Sequence, residues 1–92
     1  MGTEILDEIF EVIEDRRDRP RKRSYVSALL ARGGASDKVN EEARELVEAA
    51  KGGRKKDIVH EAADLIFHTM VLLAYKKVKL EEVMEELKRR RR

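Results

Sequence analysis

The sequence contains no cysteine and no tryptophan. Without thiols, disulfides, thiolate nucleophiles, cysteine-ligated zinc and iron–sulfur clusters are excluded. Aromatic residues make up only 4% of the chain, and there is a single proline. Strands draw on aromatic and β-branched residues, so this scarcity disfavours a sheet; the wealth of Glu, Lys, Arg, Leu and Ala favours helices. A large net charge is lacking too. Charged residues are 43% of the chain, yet the balance is only +2. The positive excess lies in the terminal run Lys88, Arg89, Arg90, Arg91 and Arg92, without which the chain is slightly acidic. That pattern argues against nucleic-acid binding, which needs a basic face on the folded body and stacking aromatics for single strands. The run suits the negative end of a helix dipole. No charged-then-apolar leader layout opens the sequence, and no apolar run reads as long enough to cross a bilayer. The expected setting is the cytoplasm.

What is present is enough for one small domain. A hydrophobic fraction of 41% is too high for a disordered chain. A chain of 92 residues buries only a small core, so pairing into a homodimer or higher homo-oligomer is expected. The apolar periodicity predicts an all-α fold, an antiparallel bundle of about four to five helices completed by dimerisation.

The first helix is expected over 4–15, with Ile5, Leu6, Ile9, Phe10, Val12 and Ile13 at helical spacing and Thr3 as N-cap. A basic connector, 16–23, contains Pro20 and reads either as a solvated loop or as one that faces phosphate. A short helix follows from Ser24, its cap, to Ala31, stopped by Gly33 and Gly34. The next helix runs over 37–51 with an apolar stripe of Val39, Ala43, Leu46, Val47 and Ala50, and ends at Gly52 and Gly53. The fourth, over 55–75, is apolar nearly all round, as suits a helix at a bundle centre or in an interface. The last, over 80–90, turns Leu80, Val83, Met84 and Leu87 inward.

Chemistry enters through acids on the two middle helices. At roughly 100° per residue, Glu61, Asp64 and His68 share one sector of a helix otherwise built for burial, with Asp57 one turn earlier. An unpaired buried carboxylate costs several kcal/mol or takes up a proton, so a cation or basic partner is expected. On the preceding helix Glu41, Glu42, Glu45 and Glu48 lie off the apolar stripe, and Glu42 and Glu45 are surface neighbours at i, i+3. The short Gly52–Gly53 link predicts antiparallel packing, which could bring Glu42 and Glu45 opposite Glu61 and Asp64. Oxygen-only ligands suit Mg2+, with Mn2+ as a substitute, rather than zinc or copper. Mg2+ leaves positions open for phosphate oxygens, which points to phosphate-ester or phosphoanhydride chemistry. The plain alternative is a solvated acidic face. His68 reads either as a satisfied structural histidine or as a contact to substrate or ligand, and His60 is assigned no role.

These residues also carry a resemblance. Glu41-Glu42-Ala43-Arg44-Glu45 resembles the E-E-x-x-E motif of the all-α nucleotide pyrophosphohydrolases, and Glu61-Ala62-Ala63-Asp64 resembles its E-x-x-D partner. Within that superfamily, Ser24-Tyr25-Val26-Ser27-Ala28-Leu29-Leu30, the stretch Glu61 to His68, and Leu80-Glu81-Glu82-Val83 are similar to the phosphoribosyl-ATP pyrophosphohydrolase family of histidine biosynthesis. The chain departs from the family at Asn40, where Gly is frequent, at Lys76-Lys77-Val78, where a Gly usually ends the central helix, and in a shorter stretch from Gly34 to Lys38. The resemblance implies Mg2+-dependent hydrolysis of phosphoribosyl-ATP to phosphoribosyl-AMP and pyrophosphate. It implies Glu42, Glu45, Glu61 and Asp64 as metal ligands, Glu41 as the residue orienting water or serving a second ion, and Lys38 as a phosphate contact. Ser24, His68, Lys22 and Arg23 are further candidates for holding substrate. Members of the superfamily are usually dimers or larger, with the apolar central helices in the interface. Two rivals remain: a house-cleaning enzyme acting on (d)NTPs, and a helical dimerisation module with no catalytic role.

Overall fold

The structure is a computed structural model describing residues 2–91; Met1, and Arg92 of the basic run, lie outside the described residues. Five helices follow one another: α1 (Glu4–Asp18), α2 (Tyr25–Ala31), α3 (Ala35–Gly52), α4 (Lys55–Tyr75) and α5 (Leu80–Arg90). No strand occurs among the described residues. The all-α reading therefore holds.

Chain stops explain the layout. Pro20 disfavours helix at the residue before it, and Arg19 leaves the helical region with φ −129° and ψ 74°. α1 accordingly reaches Asp18, three residues past the expected end, because its last turn is charged and invisible to an apolar pattern. Thr3 makes no side-chain cap, whereas Ser24 caps α2 by accepting from the Ser27 N–H. α3 begins at Ala35, directly after Gly34, two residues earlier than its stripe suggested. Gly53, at φ 78°, takes the left-handed conformation that closes the α3–α4 turn. A connection of two residues leaves the helices antiparallel neighbours. After α4 the same device recurs without glycine: Lys77 has φ 59°.

The core gathers at one end of this hairpin. Phe10 and Ile13 of α1, Val26 and Leu29 of α2, Ala35, and Met70, Val71 and Ala74 of α4 are buried together, with Leu80 closing the end. Arg17 Nη1 donates to the Ala74 carbonyl at 2.7 Å, a second donor to an oxygen that also accepts from the Lys77 N–H at 3.1 Å. Buried Ser27 fastens the connector: its hydroxyl donates to the Arg16 carbonyl at 3.0 Å and accepts from the Arg21 N–H at 3.1 Å.

Three expectations need correction. Val47 and Ala50 are exposed, and the buried residues of α3 are Ala35 and Glu42. The packed face of α3 keeps Val39, Ala43 and Leu46 of the stripe, all half-buried, but is turned toward Glu42 and away from Val47 and Ala50. Met84 and Leu87 of α5 are exposed as well, since only the first turn of that helix is anchored. Finally, α4 has the length and composition to cross a membrane, with a mean hydropathy of 1.3 over its most apolar window. Only 22% of that window is buried in the chain; Met70, Val71 and Ala74 pack into the core, and the helix also carries the acids Glu61 and Asp64.

Candidate functional site

The site forms where the first half of α3 faces the middle of α4. Its deepest member is Glu42, whose side chain is only 6% exposed. Such burial is costly for a carboxylate without partners. Lys38, one turn earlier on α3, places Nζ 3.2 Å from Glu42 Oε2 and 3.2 Å from Glu41 Oε2. His68 Nδ1 approaches Glu42 Oε2 at 4.0 Å. Two buried oxygens, Glu42 Oε1 and Glu61 Oε1, have no donor. Orphaned buried acceptors call for an explanation, and an unrecorded ion is a standard one.

The carboxylates fall into two groups. Glu41, Glu42 and Glu45 present oxygens within 4.8 Å of one another on α3. Glu61 and Asp64 do the same on α4, with His60 as the third member. The groups touch electrostatically through Glu45. Hydrogen bonding with Glu42 pushes the Glu45 carboxyl above its usual range; loss of hydration and the charges of Glu42, Glu61 and Glu41 add to this. Between the helices lies an open groove of about 480 Å3, lined by Arg44, Glu45, Glu48, Ala49, Asp57 and Glu61. Hydrogen bonds to Glu41 and Glu42 hold Lys38 above the usual lysine range, so its ammonium stays charged.

Tyr25 and His68 back the carboxylates. His68 is buried; its Nδ1 lies 2.8 Å from the Asp64 carbonyl oxygen, and its Nε2 lies 2.7 Å from Tyr25 Oη. A carbonyl only accepts, so Nδ1 carries hydrogen, and in the neutral ring Nε2 accepts from the Tyr25 hydroxyl. Phe67 packs edge-on against the same imidazole. Tyr25 also borders an apolar groove of about 450 Å3 together with Ile5, Ile9, Val12 and Phe67.

Sequence reasoning and geometry differ at particular residues. Glu61 and Asp64 were expected to be the buried acids, but both are half-buried and Glu42 is the deep one. His60, given no role, sits with Nε2 3.3 Å from Asp64 Oδ2. The i, i+4 spacing alone could have shown it. Tyr25 and Arg44 were also passed over. The Ser24 hydroxyl is engaged as a helix cap. Lys22 and Arg23 are exposed and form no ion pair among the described residues. The nearby arginines are paired with acids, Arg16 and Arg19 each 2.7 Å from Asp15 and Arg17 2.8 Å from Asp18.

Comparison with known proteins decides the family. The profile of the family described as phosphoribosyl-ATP pyrophosphohydrolase matches residues 6–91. The chain belongs to this family. It is therefore an enzyme of the hydrolase class, and its relatives agree over nearly full length. It is 46% identical to the phosphoribosyl-ATP pyrophosphatase of Methanocella arvoryzae, covering 97% of this chain and 98% of that protein. It is 42% identical to the protein of the same name from Geotalea daltonii, covering 98% and 87%. With the one from Pelobacter propionicus it shares 48% identity over 94% and 82%.

Proposed function

We propose that this protein hydrolyses phosphoribosyl-ATP to phosphoribosyl-AMP and pyrophosphate, in the cytoplasm, as a step of histidine biosynthesis. One observation carries the reading: a buried, donor-less Glu42 oxygen beside a crowded set of carboxylates, in a chain of this family. The residues fit a hard divalent cation, Mg2+ or Mn2+. The donors are all oxygens, two of them lack partners, and the crowding lifts Glu45. Glu42, Glu45, Glu61 and Asp64 would hold the ion; when bound, it would neutralise charge on the phosphate oxygens.

The chain's own groups do the rest. Half-exposed Glu41 stands at the rim, where it orients the attacking water and draws off its proton. The α–β phosphoanhydride bond breaks and pyrophosphate leaves. Lys38 offers an ammonium to the departing phosphates. His68, fixed by Tyr25 and the Asp64 carbonyl, stands behind the carboxylates with Nδ1 4.0 Å from Glu42 Oε2. The match over Ser24–Leu30 and Phe67–His68 supports phosphoribosyl-ATP over a (d)NTP as substrate.

We also propose that two copies pair. Val59 and Ile66 of α4 are 60% and 50% exposed, and Val47 and Leu87 add to an apolar surface unusual for a lone small domain. Sedimentation at micromolar concentration should give twice the chain mass.

Turnover of phosphoribosyl-ATP against a panel of (d)NTPs tests the substrate. A clear preference for a (d)NTP contradicts the proposal. Should Mg2+ alter neither stability nor turnover, with the double variant Glu61→Gln, Asp64→Asn more stable and still functional, the dimerisation-module reading would stand instead.

A further inference from the structure

The Lys38 ammonium bridges two carboxylates, and one of them is the most buried acid of the site. Its Nζ is 3.2 Å from both Glu41 Oε2 and Glu42 Oε2, while the side chain remains 24% exposed. Pairs of this kind are common on helix surfaces, where they matter little. Here the partner is different, because Glu42 is 6% exposed and its second oxygen has no donor. Among the described residues the next nearest basic side chain is His68, with Nδ1 at 4.0 Å from Glu42, and the hydrogen on that nitrogen already points to the Asp64 carbonyl. Lys38 is thus the one group placed to neutralise Glu42.

An ion held by Glu42 would lie about 2 Å from its oxygens. An ammonium bonded to the same carboxylate would then face a divalent charge at close range, where repulsion is strong. Both cannot rest on Glu42 without penalty. Lys38 has somewhere to go, since its flexible stem reaches solvent on the side from which phosphates would approach.

We propose that Lys38 is the protein's own stand-in cation. Without an ion its ammonium bridges Glu41 and Glu42; ion binding drives it off those carboxylates and frees it for the substrate's phosphates. This inference rests on the metal reading given above. It makes the ion and the ammonium competitors, so removing a site residue should tighten the ion rather than loosen it.

The test uses the full chain, without nucleotide, and Mn2+ as probe. In Lys38→Gln the Mn2+ dissociation constant, measured by calorimetry, should fall by roughly five- to tenfold, the scale of one partly solvated ion pair. Its melting temperature without metal should drop, and its gain on adding Mn2+ should exceed that of the parent protein. Lys38→Arg keeps the charge and should bind Mn2+ like the parent. A second readout needs no variant: acylation of Lys38, followed by mass spectrometry, should rise several-fold when Mg2+ is added. Equal or weaker Mn2+ binding by Lys38→Gln, or labelling that ignores Mg2+, overturns the proposal while leaving the metal site standing. A parent protein that binds no Mn2+ overturns both.

Discussion

Tyr25 Oη lies 2.7 Å from His68 Nε2, joining α2 to the centre of α4 beside the carboxylates. The contact spans 43 positions in sequence and ends on a buried ring. Replacing Tyr25 by Phe keeps the ring packing and leaves Nε2 without a partner. Stability should fall by about 1 kcal/mol, the usual value of one such bond, seen as a lower urea midpoint. An unchanged midpoint would mean that water replaces the hydroxyl at no cost.

Lys77 stands at φ 59°, where a side chain is strained and glycine is not. Lys77→Gly should therefore stabilise the protein, by roughly 0.5 kcal/mol after glycine's larger unfolded-state entropy is allowed for. Denaturant unfolding with an unchanged slope is the check, and a loss of stability would contradict it.

Arg17 closes the α4 C-terminus through its bond to the Ala74 carbonyl and grips Asp18 with the rest of its fork. Lysine cannot make both contacts at once. Arg17→Lys should cost about 1.5 kcal/mol, typical of a charged hydrogen bond to a half-buried acceptor. Faster amide exchange in the last turn of α4 should accompany the loss.

Acid should weaken the fold through the α1 end. Hydrogen bonding from Arg19 holds the Asp15 carboxyl below its ordinary range, helped by the charges of Arg19, Arg21 and Arg16; Arg17 does the same for Asp18. A carboxyl lowered in the folded state binds its proton more readily when unfolded. Its contribution is complete above the ordinary aspartate range and is lost as pH falls through the lowered value. Thermal midpoints against pH should show Asp15→Asn less stable than the parent near neutrality, with the gap closing in strong acid. A gap independent of pH would contradict the assignment.

The helices were legible because their signals are local. Ser24, Gly53 and Pro20 mark ends by conformational rules that hold in any context, and the apolar spacing of Phe10 with Ile13 or of Met70 with Val71 and Ala74 marks a packed face. The four acids on α3 and α4 were legible for the same reason, through spacing and through a family pattern. Depth was not. Glu61 and Asp64 looked buried because their helix is apolar all round, yet much of that surface is uncovered in a single chain. Glu42 looked like one of several helical glutamates, and only the packing of α3 against α4 submerges it. The Tyr25–His68 bond was equally hidden, since nothing along the chain pairs residues of two helices so far apart. Lys77 shows the converse case: a missing glycine in the sequence did not remove the left-handed turn, which the surrounding fold imposes on lysine.

The central claim is that these carboxylates hold a divalent ion for pyrophosphate release. The most direct measurement is pyrophosphate formed from phosphoribosyl-ATP, with Mg2+ and with chelator, for the parent and for Glu42→Gln. The account predicts Mg2+-dependent release, abolished by chelator, and a drop of roughly a hundredfold or more in Glu42→Gln while the variant stays folded. Release at the same rate in chelator, or a folded Glu42→Gln as active as the parent, would contradict it.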